Sequence, residues 1–321
     1  MSKKSEVRGG IDLGGTKIQA IVIDAHNTVI GESRRPTPED NGPQGVADAM
    51  AEVLNAAASA AGVETGALKG VGVGAPGAIE PAGGIVSHAK NLPDWDGSFA
   101  LGPALEKAAG TKVIVANDVS VGVRAEAELG AGRERDSILG VFWGTGVGGG
   151  IVLKGELWHG RGSAGEIGHT VVRRGGARCP CGNRGCMEAY AGRAPMEAEA
   201  RRRVEKGEKT HLFKLMKEHD RPRLTSGIWE HALHHGDKMA EELIDRAIKA
   251  LGAGIGSAVN LIDPEVVILG GGLGVRFGKT LGPEIEAHME KHLFDHTRPP
   301  DFTVAELGDL GGAIGASLLV K

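Results

Sequence analysis

Gly144-Thr145-Gly146-Val147-Gly148-Gly149-Gly150, followed at once by Ile151-Val152-Leu153, is the stretch on which the fold turns. It holds a formal G-x-G-x-x-G match at Gly144, Gly146 and Gly149, a pattern that opens a helix in dinucleotide-binding proteins. Here a β-branched apolar run follows instead, so the Rossmann reading fails. The segment reads as a strand (Ser137–Trp143), a glycine turn (Gly144–Gly150) and a returning strand (Ile151–Lys154). The same pattern stands about 130 residues earlier, where Val7–Leu13 and Ile18–Ile23 flank Gly14-Gly15. A strand–glycine–strand unit met twice predicts duplicated α/β domains facing each other across a cleft.

Between and beyond these hairpins the pattern alternates. A strand is expected over Thr28–Arg34 and an alanine-rich amphipathic helix over Gly45–Ala61, after the turn-forming Pro36, Pro38 and Pro43. Gly70–Gly74 reads as a buried strand that breaks at Ala75-Pro76-Gly77. Leu101–Ala109 reads as a helix, Lys112–Ala116 as a strand and Val119–Leu129 as a helix. From Glu188 the chain turns helical and charged, with a long helix over Met239–Leu261, a strand over Glu265–Leu269, and Phe302–Leu307 leading through glycines into a last helix near Ala313–Val320. No loop is long enough to be a disordered linker, so the lobes are expected to interleave.

Composition narrows the function. Of 321 residues, 53 are glycine, about a sixth of the chain, against a usual ~7%. They follow apolar runs and have no collagen period, so they mark turns and close approaches to a ligand. Net charge is −4, with basic residues scattered, which argues against nucleic acid. Arg201-Arg202-Arg203, followed by Glu205 and Glu208, reads as a solvated helix face. No apolar run reaches the ~18 residues of a membrane span, and no signal peptide is evident, so the cytoplasm is the expected compartment.

Three glycine clusters carry the chemistry. In Asp12-Leu13-Gly14-Gly15-Thr16-Lys17, bare backbone N–H groups can cradle phosphate oxygens, Thr16 and Lys17 add donors, and Asp12 suits a Mg²⁺-bound water. Taken alone, this is also what an ordinary hairpin turn looks like. Gly144-Thr145-Gly146 would form a second cradle, and Gly270-Gly271-Gly272 precedes a helix whose start suits a nucleotide. Three such clusters in one chain point to a nucleotide cleft. Cys179, Cys181 and Cys186, with His169 upstream, make a closed tetrahedral Zn²⁺ set, a structural metal with no open position, rather than three unrelated buried cysteines. His211, His219, His231, His234 and His235 lie in a charged helical region and read as surface or core residues, not a second metal site. Asn117-Asp118 before a helix reads locally as an N-cap.

Together these pieces resemble the ROK family of bacterial sugar kinases and repressors, its glucokinases most of all. The resemblance spans essentially the whole chain and rests on Asp12–Lys17, Asn91-Leu92-Pro93-Asp94-Trp95, Asn117-Asp118, Gly144–Gly150, Glu166-Ile167-Gly168-His169 and the segment Cys179, Cys181, Gly182, Gly185, Cys186, Glu188. It implies an actin-like ATPase (ribonuclease H-like) fold with two lobes around a central cleft. The expected small lobe is residues 1–118 plus about 306–321, and the large, zinc-bearing lobe is residues 119–305. It implies ATP-dependent phosphorylation of glucose at the 6-hydroxyl, with Asp118 as the base. Asn91, Asn117, Glu166, His169 and Glu188 would hold the sugar, while Asp12, Gly14, Gly15, Thr16, Lys17, Gly144, Thr145, Gly146, Gly271 and Gly272 would hold ATP. Relatives are often homodimers or homotetramers. The alternatives it leaves are a kinase for fructose, mannose, allose or an N-acetylhexosamine, polyphosphate as donor, and a non-catalytic sugar-responsive regulator. The regulators carry an N-terminal DNA-binding domain; with the first phosphate turn starting at Asp12, none is expected here. Two departures from the usual pattern are Trp143 and Ala191-Gly192-Arg193, where serine-glycine is common.

Overall fold

The computed structural model describes residues 6–80, 82–89, 92 and 94–321. In chain order the first elements are β1 (Arg8–Leu13), β2 (Lys17–Ile23), β3 (Val29–Pro36), α1 (Gly42–Ala60), β4 (Val71–Ala75), β5 (Ala78–Glu80), β6 (Ile85–Ser87), β7 (Ser98–Ala100), α2 (Leu101–Ala109), β8 (Val113–Asn117) and α3 (Asp118–Leu129). There follow β9 (Ser137–Trp143), β10 (Val147–Leu153), β11 (Glu156–Leu157), α4 (Glu188–Ala191), α5 (Arg193–Glu205), α6 (Leu212–Glu218), α7 (Ser226–His234) and α8 (Lys238–Ile262). The chain closes with β12 (Val266–Gly270), α9 (Gly271–Glu290), β13 (Asp301–Val304) and α10 (Gly311–Ser317).

Two compact units result. One comprises the chain up to Arg133 with His159–Ser163 and Leu307–Lys321; the other comprises Glu134–Trp158 and Ala164–Glu306. In the first, a five-stranded sheet runs β3-β2-β1-β4-β8, with β1–β3 antiparallel and β1, β4 and β8 parallel. In the second, the order β11-β10-β9-β12-β13 repeats that plan, an antiparallel hairpin joined to parallel strands. This recurrence is the expected actin-like ATPase architecture. The helix α3 belongs with the first unit, because it packs against α10.

The first sheet is covered on both faces. Val46, Met50 and Leu54 of α1 join Ile11, Ile18 and Val73 in one core, and α10 with α3 covers the other face through Ala313, Ile314 and Ala125. Glycine lets α10 sit directly on the strands: a Cβ at Gly72 would lie 1.7 Å from the Ala316 carbonyl oxygen. Since the obstructing atom is backbone, Gly72→Ala must displace the helix, and a loss of about 1–3 kcal/mol is expected. The control Gly66→Ala meets nothing closer than 4.0 Å and should stay within about 0.5 kcal/mol of the parent. Equal thermal unfolding of the two variants would contradict this packing.

The second unit buries Trp143, Trp229, Leu251 and Phe277 beneath α8 and α9. Its glycine turn is shorter than expected. It ends at Gly146, and Gly148, Gly149 and Gly150 are strand residues paired with Phe142, Val141 and Gly140. Gly270 closes β12, and Gly271-Gly272 already belong to α9. The small sheet β5-β6-β7 was not foreseen. Arg201, Arg202 and Arg203 pair with Glu197, Glu199 and Glu208, as a solvated face should. No helix among the described residues is long and apolar enough to cross a membrane.

Candidate functional site

In the first unit the candidate groups gather at the C-terminal ends of parallel strands. Asp12 is the penultimate residue of β1, opposite Gly74 of β4, and Ala75 in turn pairs with Asn117 at the end of β8. The Asn117 side chain caps α3, its Oδ1 accepting from the Val119 and Ser120 N–H groups at 3.1 Å each. The local N-cap reading therefore holds. That cap fixes the backbone of Asp118, whose Oδ1 accepts from the Val119 N–H at 2.9 Å. The turn after β1 is closed by the Gly14 N–H donating to the Lys17 carbonyl (2.9 Å) and by the Thr37 hydroxyl donating to the Gly14 carbonyl (2.6 Å).

Burial pushes the Asp12 carboxyl up to about 6 from an ordinary 3.8, with the Asp118 charge adding to the rise, Lys17 opposing it and Asp309 reinforcing it. Asp309 was missed in the sequence, although Asp309-Leu310-Gly311-Gly312 repeats the tetrapeptide of Asp12–Gly15. Its carboxylate lies 3.6 Å from Lys17 Nζ. Asp118 and Asp309 add negative charge beside the Asp12 carboxyl against the single positive charge of Lys17, an excess that a dication would offset, so the residues fit Mg²⁺.

A raised carboxyl pKa means that the folded chain holds its proton longer than the unfolded one. Stability is therefore complete below the unfolded value and falls as pH rises towards the folded one. Two units correspond to about 3 kcal/mol above pH 7 and roughly half of that at pH 5. Asp12→Asn should accordingly raise the melting temperature more at pH 7.5 than at pH 5. An equal change at both pH values would remove the burial argument.

In the second unit a continuous chain of contacts links the remaining candidates. Glu166 Oε2 lies 3.9 Å from His169 Nε2, and His169 Nδ1 lies 3.7 Å from Cys179 Sγ. Cys179 Sγ lies 3.7 Å from Glu188 Oε1, and Glu188 Oε2 accepts from the Val147 N–H at 2.9 Å. The turn carrying Glu166 and His169 is seated on β10 at Gly168, where a Cβ would fall 1.8 Å from the Val147 carbonyl oxygen. Glu188 opens the one-turn helix α4, whose far end is held by buried Trp143, its indole N–H donating to the Ala191 carbonyl at 2.6 Å.

His169, Cys179, Cys181 and Cys186 form the one group of three or more metal-ligating side chains found among the described residues, their ligand atoms all within 4.8 Å of one another. Cys181 and Cys186 Sγ are 3.8 Å apart, close to the ~3.8 Å that tetrahedral metal–sulfur bonds of ~2.3 Å impose. Burial pushes the Cys179 and Cys186 thiols up, while the Asn183 backbone N–H pulls Cys181 down. A dication would reverse the burial penalty by ligating all three as thiolates. The donor set fits a closed four-coordinate site.

Gly144 and Gly272 adjoin, a Cβ on the former lying 3.8 Å from the latter's N–H nitrogen, so the second turn and the start of α9 form one surface. Arg193, marked in the sequence only as part of a departure that could tune specificity, donates to Thr145 Oγ1 at 2.8 Å. Asn91 lies outside the described residues; its neighbours Leu92 and Trp95 are buried in the first unit's core. The His231 ring is tilted against His235 (4.3 Å) and meets His219 edge-on (5.8 Å), and none of them belongs to the metal-ligating group found among the described residues.

The chain matches the ROK family over residues 8–321. It is 34% identical over 315 residues to a glucokinase of Halalkalibacterium halodurans, covering 97% of this chain and 94% of that one. It is also 30% identical over 321 residues to an N-acetyl-D-glucosamine kinase of Yersinia pseudotuberculosis, covering 97% of each chain. Among solved structures, a ROK family glucokinase from Streptomyces griseus in complex with glucose and AMPPNP superposes with a TM-score of 0.82 at 30% identity, covering 98% of both chains.

Proposed function

Because this chain belongs to the ROK family and is a sugar kinase of it, we propose that it transfers the γ-phosphoryl group of ATP to the 6-hydroxyl of glucose. What carries the reading is Asp118, held by a capped helix start with β4 between it and a buried partner carboxylate, Asp12.

Phosphoryl transfer runs through a loose transition state, so the protein must mainly position the groups and stabilise charge. Asp118 accepts the proton of the attacking hydroxyl, which is too weakly acidic to ionise by itself. The amides of Gly14, Gly15 and Gly144–Gly146, with Thr16, Lys17 and Thr145, hold the phosphates, and Gly271-Gly272 at the start of α9 receive the nucleotide. Mg²⁺, when bound near Asp12, supplies charge neutralisation of the phosphates. Glu166, His169 and Glu188 pair with sugar hydroxyls, joined by Asn91 and by the Asn117 amide, whose carbonyl oxygen is committed to the cap. His169, Cys179, Cys181 and Cys186 would hold a structural Zn²⁺, which would supply rigidity to the loop, while His169 keeps its Nε2 on the side of Glu166 and its Nδ1 on the side of Cys179. A cytoplasmic homodimer or homotetramer is the assembly this reading expects.

The Yersinia relative favours one second reading, an N-acetylhexosamine kinase. A coupled assay over glucose, mannose, fructose, allose and N-acetylhexosamines, with ATP or polyphosphate, separates the two. Glucose with ATP is expected to give the highest kcat/KM. An N-acetylhexosamine exceeding glucose would replace the first reading with the second, and no turnover with any sugar would favour a non-catalytic regulator.

A further inference from the structure

Arg193, the first residue of α5, is bound to the second glycine turn by more than its side chain. Its backbone N–H donates to the Gly144 carbonyl (3.1 Å), and the next N–H, of Ala194, donates to the Thr145 carbonyl (2.9 Å). The guanidinium forks: Nη2 donates to Thr145 Oγ1 at 2.8 Å and Nη1 to the Leu224 carbonyl at 2.9 Å. Neither acceptor is charged. The nearby Glu197 carboxylate is committed elsewhere, to Arg201 through Oε1 and to the Leu224 N–H through Oε2. Arg223 adds a second positive charge beside Arg193, and burial with that neighbour holds the Arg193 guanidinium below its ordinary range. The result is a half-buried cation that makes no ion pair among the described residues, its charge offset only at a distance by Glu197, and it is aimed at the hydroxyl of a glycine turn.

A guanidinium can only donate hydrogen bonds, and a hydroxyl has one proton to give and lone pairs to accept with. Since Arg193 occupies the accepting side of Thr145 Oγ1, the Thr145 proton is left to donate outward. We infer that Arg193 is a donor-positioning residue, which orients the Thr145 O–H towards the terminal phosphates of ATP and, with Arg223, offsets their charge. The inference rests on the assignment of the Gly144–Gly146 turn to phosphate binding. The anion supplies the missing counter-charge, and the fork to Leu224 keeps the guanidinium in plane while it does so.

The test is calorimetric titration of the metal-loaded enzyme with AMPPNP, for the parent, Arg193→Gln, Arg193→Lys, Thr145→Val and the double variant Thr145→Val with Arg193→Gln. Arg193→Gln should weaken AMPPNP and raise KM for ATP by about ten- to a hundredfold, as for loss of a charge-assisted contact, with hexose KM within about twofold. Arg193→Lys should recover only part, because one ammonium cannot bridge Thr145 and Leu224 in the fork's geometry. The double variant should bind no worse than about the weaker single, since both act through one hydroxyl. AMPPNP affinity within twofold of the parent in Arg193→Gln, even with a lowered melting temperature, would overturn the inference, as would costs that multiply in the double variant. A parent that binds AMPPNP but phosphorylates no hexose would remove the substrate reading while leaving the Arg193 comparison decisive. A parent that does not bind AMPPNP would overturn both.

Discussion

Asp118→Asn is expected to lower kcat by about 10²–10⁴-fold while the dissociation constants for glucose and AMPPNP stay within a few-fold of the parent. The substitution keeps the size and planarity of the side chain, including an oxygen able to accept from the Val119 N–H as Asp118 Oδ1 does at 2.9 Å. Asn117 still caps α3, so the backbone there should not move. What disappears is the group that takes a proton. A second consequence follows from the electrostatics: with the Asp118 charge gone, one of the two main causes of the raised Asp12 carboxyl is removed, and its pKa should fall from about 6. Pre-steady-state phosphoryl transfer measured with both ligands saturating reads the chemical step directly. A rate within about tenfold of the parent would show that Asp118 is not the base.

Removing the metal is expected to have an effect of comparable reach by another route. Cys181 is exposed and anchors the set opposite buried Cys179 and Cys186, so Cys181→Ser should abolish tight metal retention with little direct disturbance of the core. The segment between Gly165 and Glu188 is held by the Val171–Cys186 and Arg178–Arg184 bridges and by Ile167, Cys179, Cys186 and Met187 in the core, and a metal in the Cys/His set would add the tie between Cys181 and the rest. Loss of that constraint frees Glu166 and His169, and with them the contact running through Cys179 to Glu188. Each misplaced charged partner removes a contact worth about tenfold or more in affinity, so hexose KM should rise by about ten- to a hundredfold or beyond. The ATP KM should change less, because the second glycine turn is also held from α5, by the Arg193 and Ala194 N–H groups on the Gly144 and Thr145 carbonyls. Metal content by atomic emission, with KM values for both substrates, checks this. Equal hexose KM in metal-free and metal-loaded protein would contradict the assignment.

The parts of the fold that repeat were legible from side-chain pattern. Ile18–Ile23 and Ile151-Val152-Leu153 follow glycines with β-branched runs, and that choice between strand and helix separated two hairpins from a dinucleotide-binding helix. Where glycine itself is the strand residue the signal vanishes, which is why β10 starts at Val147 rather than Ile151. The strands β5, β6 and β7 have three residues each, too short to show a period of two, and so escaped notice. Among site residues, the cysteine spacing was informative because thiolates must converge on one ion. Asn117-Asp118 was informative because a cap leaves a local trace. Arg193 stood out only as a departure from the usual serine-glycine, without a partner: Thr145 and Leu224 are 48 and 31 residues away, and only the folded chain brings them together. Asp309 did leave a trace, the repeated Asp-Leu-Gly-Gly, whose meaning emerges once α10 lies against β1 and places Gly312 over the Asp12 carboxylate.

Where the phosphoryl group ends up is observed directly by phosphorus NMR of the parent protein with Mg²⁺, ATP and glucose. The account predicts ADP and a new phosphomonoester on the sugar's C6 oxygen in equal amounts, with little inorganic phosphate, and no ATP consumption when sugar is omitted. ATP breaking down to ADP and inorganic phosphate at the same rate with and without sugar would contradict it.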